Sequence, residues 1–77
     1  MTTVKNRTID ELKRWYLSAV RGDLIINYGF MEEEADKIIV AYRLKDRLDK
    51  ATDAQLHMDI EDTTREMKRE GFFAYAN

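Results

Sequence analysis

This sequence predicts an all-α protein, a small three-helix bundle, and three observations lead there. Apolar residues recur at helical spacing along most of the chain. Proline is absent, which removes the strongest breaker of helices. The single run that could pass as a strand, residues 24–28, has no second such run to pair with, and a lone strand is not stable. The expected elements are helices at about 9–21, 32–50 and 53–70, with a short helical turn at about 24–28. Together they make one domain over residues 1–77, whose ends, 1–7 and 72–77, are expected to be flexible or ordered by a partner.

The first helix opens on a capping box, Thr8 with Glu11 three residues on, and Asp10 and Glu11 suit the positive end of the helix dipole. At helical steps Ile9, Leu12, Trp15, Tyr16, Ala19 and Val20 share one broad arc, while Asp10, Glu11, Arg14, Ser18 and Arg21 lie opposite. Lys13 intrudes on the apolar arc and can snorkel. Continuing that phase beyond Gly22 carries Asp23 and Asn27 into the apolar arc and turns Ile25 outward. Gly22 is therefore expected to end the helix in the left-handed conformation, with Asp23 capping the turn that follows. An unbroken helix is the costlier alternative, because it buries polar groups.

After the connector Gly29 and Phe30, the run Glu32, Glu33, Glu34 marks the start of the second helix, and Arg43, Lys45, Arg47 and Lys50 mark its end. Glu33 with Lys37, and Asp46 with Lys50, add acid-before-base pairs four apart. Its apolar residues form two stripes: Ala35, Ile38, Ile39 and Tyr42 on one side, and Ala41, Leu44, Leu48 and Ala51 rotated away. A straight helix of this kind must touch two neighbours. Thr52 with Gln55 offers another capping box, from which Leu56, Ile60, Thr63 and Met67 trace a third seam. No glycine or proline separates these last two helices, so a rod from Glu32 to Glu70 competes with a hairpin. The jump of the apolar stripe between Ala51 and Leu56 favours a turn near Thr52 and Asp53. Gly71, after Lys68 and Arg69, stops the third helix ahead of an aromatic tail.

Tyr28, Gly29 and Phe30, followed by Ala35 and Ile38, resemble the loop and second helix of ubiquitin-associated domains. The resemblance covers only this stretch, with Tyr28 in place of the loop's usual methionine, and no ubiquitin-binding role is carried onto the chain.

The composition narrows function by exclusion. With 13 basic and 15 acidic residues the net charge is -2, which supplies no global field toward nucleic acid or anionic membranes. The lack of cysteine removes thiol catalysis and thiolate metal sites. His57, between Asp53 and Glu61, falls short of a closed zinc ligand set. Glu32, Glu33, Glu34 and Asp36 diverge around a helix rather than converge on one atom. The expectation is thus no enzyme, no cofactor, no metal, no small-molecule substrate and no membrane, in a cytoplasmic setting.

What remains is a small interaction or regulatory module that self-associates as a homodimer or binds another protein through helix faces. Trp15, Leu44, Leu48, Phe72 and Phe73, with Tyr75 behind them, are the expected partner-binding residues, because aromatic and leucine anchors dominate such interfaces. The third helix also carries few large apolar groups for its length, which suggests burial completed by a second copy. The alternative is a nucleic-acid accessory protein whose ridge of Arg43, Arg47 and Lys50, at spacings of four and three, contacts phosphates.

Overall fold

The computed structural model describes residues 8–77. Among the described residues all regular structure is helical: α1 (Ile9–Tyr28), α2 (Glu32–Tyr42), α3 (Leu44–Lys50), α4 (Thr52–His57), α5 (Ile60–Arg69) and a closing 3-10 turn, Phe72–Ala76. Five helices stand where three long ones were expected. The expectation for residues 1–7 lies outside the described residues. None of the described helices is long and apolar enough to cross a membrane.

The amino end of α1 is capped as its sequence implies. The Glu11 amide donates to Thr8 Oγ1 at 3.1 Å, and the Thr8 amide donates to Glu11 Oε1 at 2.8 Å. The break expected at Gly22 does not occur: α1 runs through it for 20 residues and ends at Gly29, whose φ is 78°. The residues of the expected turn at 24–28 are simply its last turns. The physical reason is that Asp23 is satisfied where it lies, since Thr64 Oγ1 donates to its Oδ2 at 2.6 Å and the Asn27 amide donates to its Oδ1. A polar group with partners no longer carries the burial cost that argued for a helix end.

The expected helix 32–50 is two helices, broken at Arg43, whose φ of 61° and ψ of 43° are left-handed. That break turns the second stripe inward. Leu44 and Leu48 join Ala35, Ile38 and Tyr42 in one core instead of facing a second neighbour. Fully burying each leucine is worth about 2 kcal/mol, which outweighs the roughly 1–2 kcal/mol that a left-handed non-glycine residue costs.

The expected helix 53–70 is likewise two helices. The chain bends at Ala51, and again at Met58 and Asp59, whose ψ values of 131° and 150° are extended. It is neither a continuous rod nor a hairpin turning once at Thr52. The capping box expected there is absent, since the Thr52 hydroxyl donates to the Leu48 carbonyl at 2.6 Å and Gln55 is buried. Gln55 belongs to a polar knot that holds the second bend. Tyr16 donates to the Met58 carbonyl at 2.8 Å and lies 2.5 Å from Thr63 Oγ1, and Gln55 Nε2 donates to both hydroxyls at 3.3 Å. The Met58 carbonyl takes the one phenolic proton, so Thr63 donates to the Tyr16 oxygen.

Cross-links fix the directions of the layers. Lys13 pairs with Asp49 at 3.1 Å and Arg21 with Asp36 at 2.7 Å, so α2 and α3 run opposite to α1. Tyr16 meets Thr63, Asp23 meets Thr64, and the Lys68 amine lies 6.0 Å from the Tyr28 ring, so α5 runs alongside α1 in the same direction. The tail expected to be flexible or partner-ordered docks within the chain. Gly71, with φ of 86°, turns it back, and Phe73 packs edge-on against Tyr28 and Phe30 with centroids 5.0 and 4.9 Å away.

Candidate interaction surface

The core absorbs several of the residues expected to face a partner. Leu44 and Leu48 are fully buried, so a partner cannot reach them without opening the fold. Phe72 lies edge-on to Tyr42 at 5.2 Å, and Phe72 and Phe73 are both only partly exposed against the core. Their rings seal the bundle end. Tyr75 stacks on Phe72 at 6.0 Å and remains 59% exposed. Of the residues named from sequence as anchors, Trp15 and Tyr75 are the ones that present large surface outward.

The basic ridge does not assemble as one. Arg43 stands alone at the break between α2 and α3. Arg47 folds back over the Tyr42 ring, 4.0 Å from its centroid, while its Nε donates to the Tyr42 carbonyl at 2.9 Å. Lys50 pairs with Asp46 at 3.3 Å. Arg43 thus lies at the break itself, and the other two are engaged within the chain. His57 and Glu61 fall on different helices, and among the described residues no group of three or more His, Cys, Asp or Glu side chains could hold a metal ion.

Among the described residues, two surfaces gather several apolar groups. On the outer face of α1, Trp15 is 55% and Ile26 81% exposed, with Ala19 and Gly22 between them and Leu12 one turn before. At 3.6 residues per turn Trp15, Ala19, Gly22 and Ile26 fall within an arc of about 60°. A Cβ built on Gly22 would meet no atom within 4 Å, so nothing in the fold requires a glycine there.

The chain matches no family model, no curated protein and no solved structure. The likeness at Tyr28, Gly29 and Phe30 reduces to a glycine-capped helix followed by the start of the next.

The second surface lies across α2. Leu17, Ile39 and Val40, with Arg43, Lys45, Asp46 and Asp49, line an open depression of about 610 Å³. Val40, 74% exposed, is shared with a second depression of about 480 Å³ that Asp36, Lys37, Ala41 and Tyr75 complete. Sequence reading missed Ile26 and Val40 as surface groups. The signal for Val40 was its place off the buried stripe of α2. Ile26 carried a signal only if α1 was continuous, since only then does it share the phase of Trp15.

Proposed function

We propose that this chain is a small non-enzymatic protein–protein interaction module that self-associates through the outer face of α1. The observation that carries this reading is the glycine at position 22, facing open space in the middle of an apolar seam of a 20-residue helix. Glycine inside a helix costs about 0.5–1 kcal/mol relative to alanine. Close approach of another helix gives it a use.

A second copy fits that seam through its residue pattern. Paired antiparallel about Ala19, two copies of α1 set Ala19 against Ala19 and Leu12 against Ile26, and bring Trp15 opposite Gly22 to within one residue. Each large indole then faces the smallest residue, the self-complementarity that a two-fold interface needs. With the bent pairs α2–α3 and α4–α5 counted as one layer each, the architecture acts as a three-helix bundle displaying α1. The reading includes a cytoplasmic setting, with which the cysteine-free composition is compatible. The alternative of phosphate contacts by Arg43, Arg47 and Lys50 has less support, because Arg47 and Lys50 are engaged within the chain.

Sedimentation equilibrium over a wide concentration range tests the reading. The wild type is expected to dimerise, and Trp15→Glu and Ile26→Glu to sediment as monomers with unchanged helical circular dichroism. A wild type that stays monomeric at the highest concentration sinks the proposal.

A further inference from the structure

We propose that the depression between α1, α2 and α3 is a docking site for an acidic amphipathic helix of a second protein. Its floor is aliphatic: Leu17 and Ile39 are half-buried, and Val40 rises from it 74% exposed. A volume of about 610 Å³ accommodates several side chains. The rim decides which partner fits. It carries Arg43, Lys45, Asp46 and Asp49, which balance formally, but each aspartate is answered by a lysine from outside the depression. Lys13 holds Asp49 at 3.1 Å and Lys50 holds Asp46 at 3.3 Å. Arg43 and Lys45 have no carboxylate partner among the described residues. The site therefore offers an aliphatic floor beside two unanswered cations, which complements apolar anchors flanked by carboxylates.

Arg43 adds a second observation. It occupies the left-handed conformation, where glycine or asparagine is cheaper, and it is the only non-glycine residue with positive φ among the described residues. A strained arginine on the rim of an apolar depression is consistent with a side chain retained for contact. Nucleic acid fits the same surface less well. The floor is aliphatic, and none of the lining residues is an aromatic on which a base could stack. Trp15 and Ile26 do not line this depression, so the proposal stands apart from pairing through α1.

Fluorescence anisotropy on the full chain tests it. The probe is a labelled peptide of about 16 residues, long enough to form a helix on binding, with leucine on one stripe and glutamate on its flanks. A second peptide replaces every glutamate with lysine, and the third probe is a single-stranded oligothymidylate. The leucine–glutamate peptide is expected to bind, the lysine peptide at least about tenfold more weakly, and the oligonucleotide more weakly than either acidic or basic helix. Val40→Glu, at an exposed position, and the double variant Arg43→Glu with Lys45→Glu are each expected to weaken the acidic peptide about tenfold while circular dichroism stays unchanged. Equal binding of the two peptides, indifference to Val40→Glu, or tighter binding of the oligonucleotide would overturn it. Since the readout is peptide affinity and not oligomeric state, its result is independent of the sedimentation experiment.

Discussion

At the scale of single residues, Tyr42 and Arg43 carry opposite lessons from adjacent positions. Tyr42 is buried, donates from its hydroxyl to Glu66 Oε2 at 2.8 Å, and offers its ring to Arg47 on one side and Phe72 on another. Burial first, and then the bond to Glu66, hold this phenol protonated well above its ordinary value of 10.0. In the unfolded chain it ionises at its ordinary value, so its contribution is complete below about pH 10 and is lost as pH rises further, at up to about 1.4 kcal/mol per pH unit. Tyr42→Phe is expected to lose about 1.5–3 kcal/mol at neutral pH, because Glu66 forfeits its donor, and to show a flatter decline above pH 10. Urea unfolding of both proteins from about pH 8 to 11 compares the two slopes. Arg43 is the converse case of a residue working against its backbone. Arg43→Gly should raise the urea midpoint by an amount equivalent to about 1 kcal/mol, the left-handed cost less the extra chain entropy of glycine.

At the scale of the element, α1 gives a prediction whose two halves have opposite signs. Within one chain a methyl group at Gly22 meets nothing within 4 Å, so Gly22→Ala is expected to stabilise the monomer by about 0.5–1 kcal/mol. In an antiparallel pair the same methyl group stands where Trp15 of the other copy must sit, so association should weaken. Thermal unfolding at a concentration below the dimerisation range reads the first effect, and sedimentation equilibrium reads the second. A variant that gains stability and dimerises as well as the wild type would show that Gly22 is not at the contact. The α2–α3 break illustrates a related balance. One unfavourable residue, Arg43, lets two leucines enter a core that a straight helix would have kept them from.

At the scale of the whole molecule, a 77-residue chain has a thin core, and its last residues contribute to it. Phe73 joins α1 and the α1–α2 connector through Tyr28 and Phe30, and Ala76 is 5% exposed. Phe73→Ala is expected to cost about 3 kcal/mol, a large share of the stability of a domain this small, and to lower the melting temperature by roughly 10 °C or more. Removal of residues 72–77 should leave a chain without a cooperative thermal transition. If the shortened chain melts like the intact one, the tail is not part of the core. The polar knot of Tyr16, Gln55, Thr63 and the Met58 carbonyl plays a matching part at the other bend, where it lets the chain leave helical geometry with its polar groups paired.

Local spacing carried the helical class, the capping box at Thr8 and Glu11, the connector at Gly29 and Phe30, the stop at Gly71 and the buried stripe of Ala35, Ile38 and Tyr42 on α2, whereas on α1 it was right for Tyr16 and Val20 but not for Ile9 and Trp15, which are 49% and 55% exposed. The features it carried rest on spacing and on backbone groups within one turn of each other, so they are visible without knowing the neighbours. That α1 continues through Gly22 follows from packing, because one of the two groups that satisfy Asp23 is Thr64, 41 residues away. The breaks at Arg43 and at Met58 and Asp59 also come from packing, since burial of Leu44 and Leu48 and pairing of Tyr16 with Thr63 outweigh local helix propensity. The outward-facing set changed for the same reason. Once the breaks turned Leu44 and Leu48 inward and the tail rings sealed the end, Trp15, Ile26 and Val40 were among the large apolar groups left without cover. Exposure is a property of how elements pack, and spacing along the chain does not contain it.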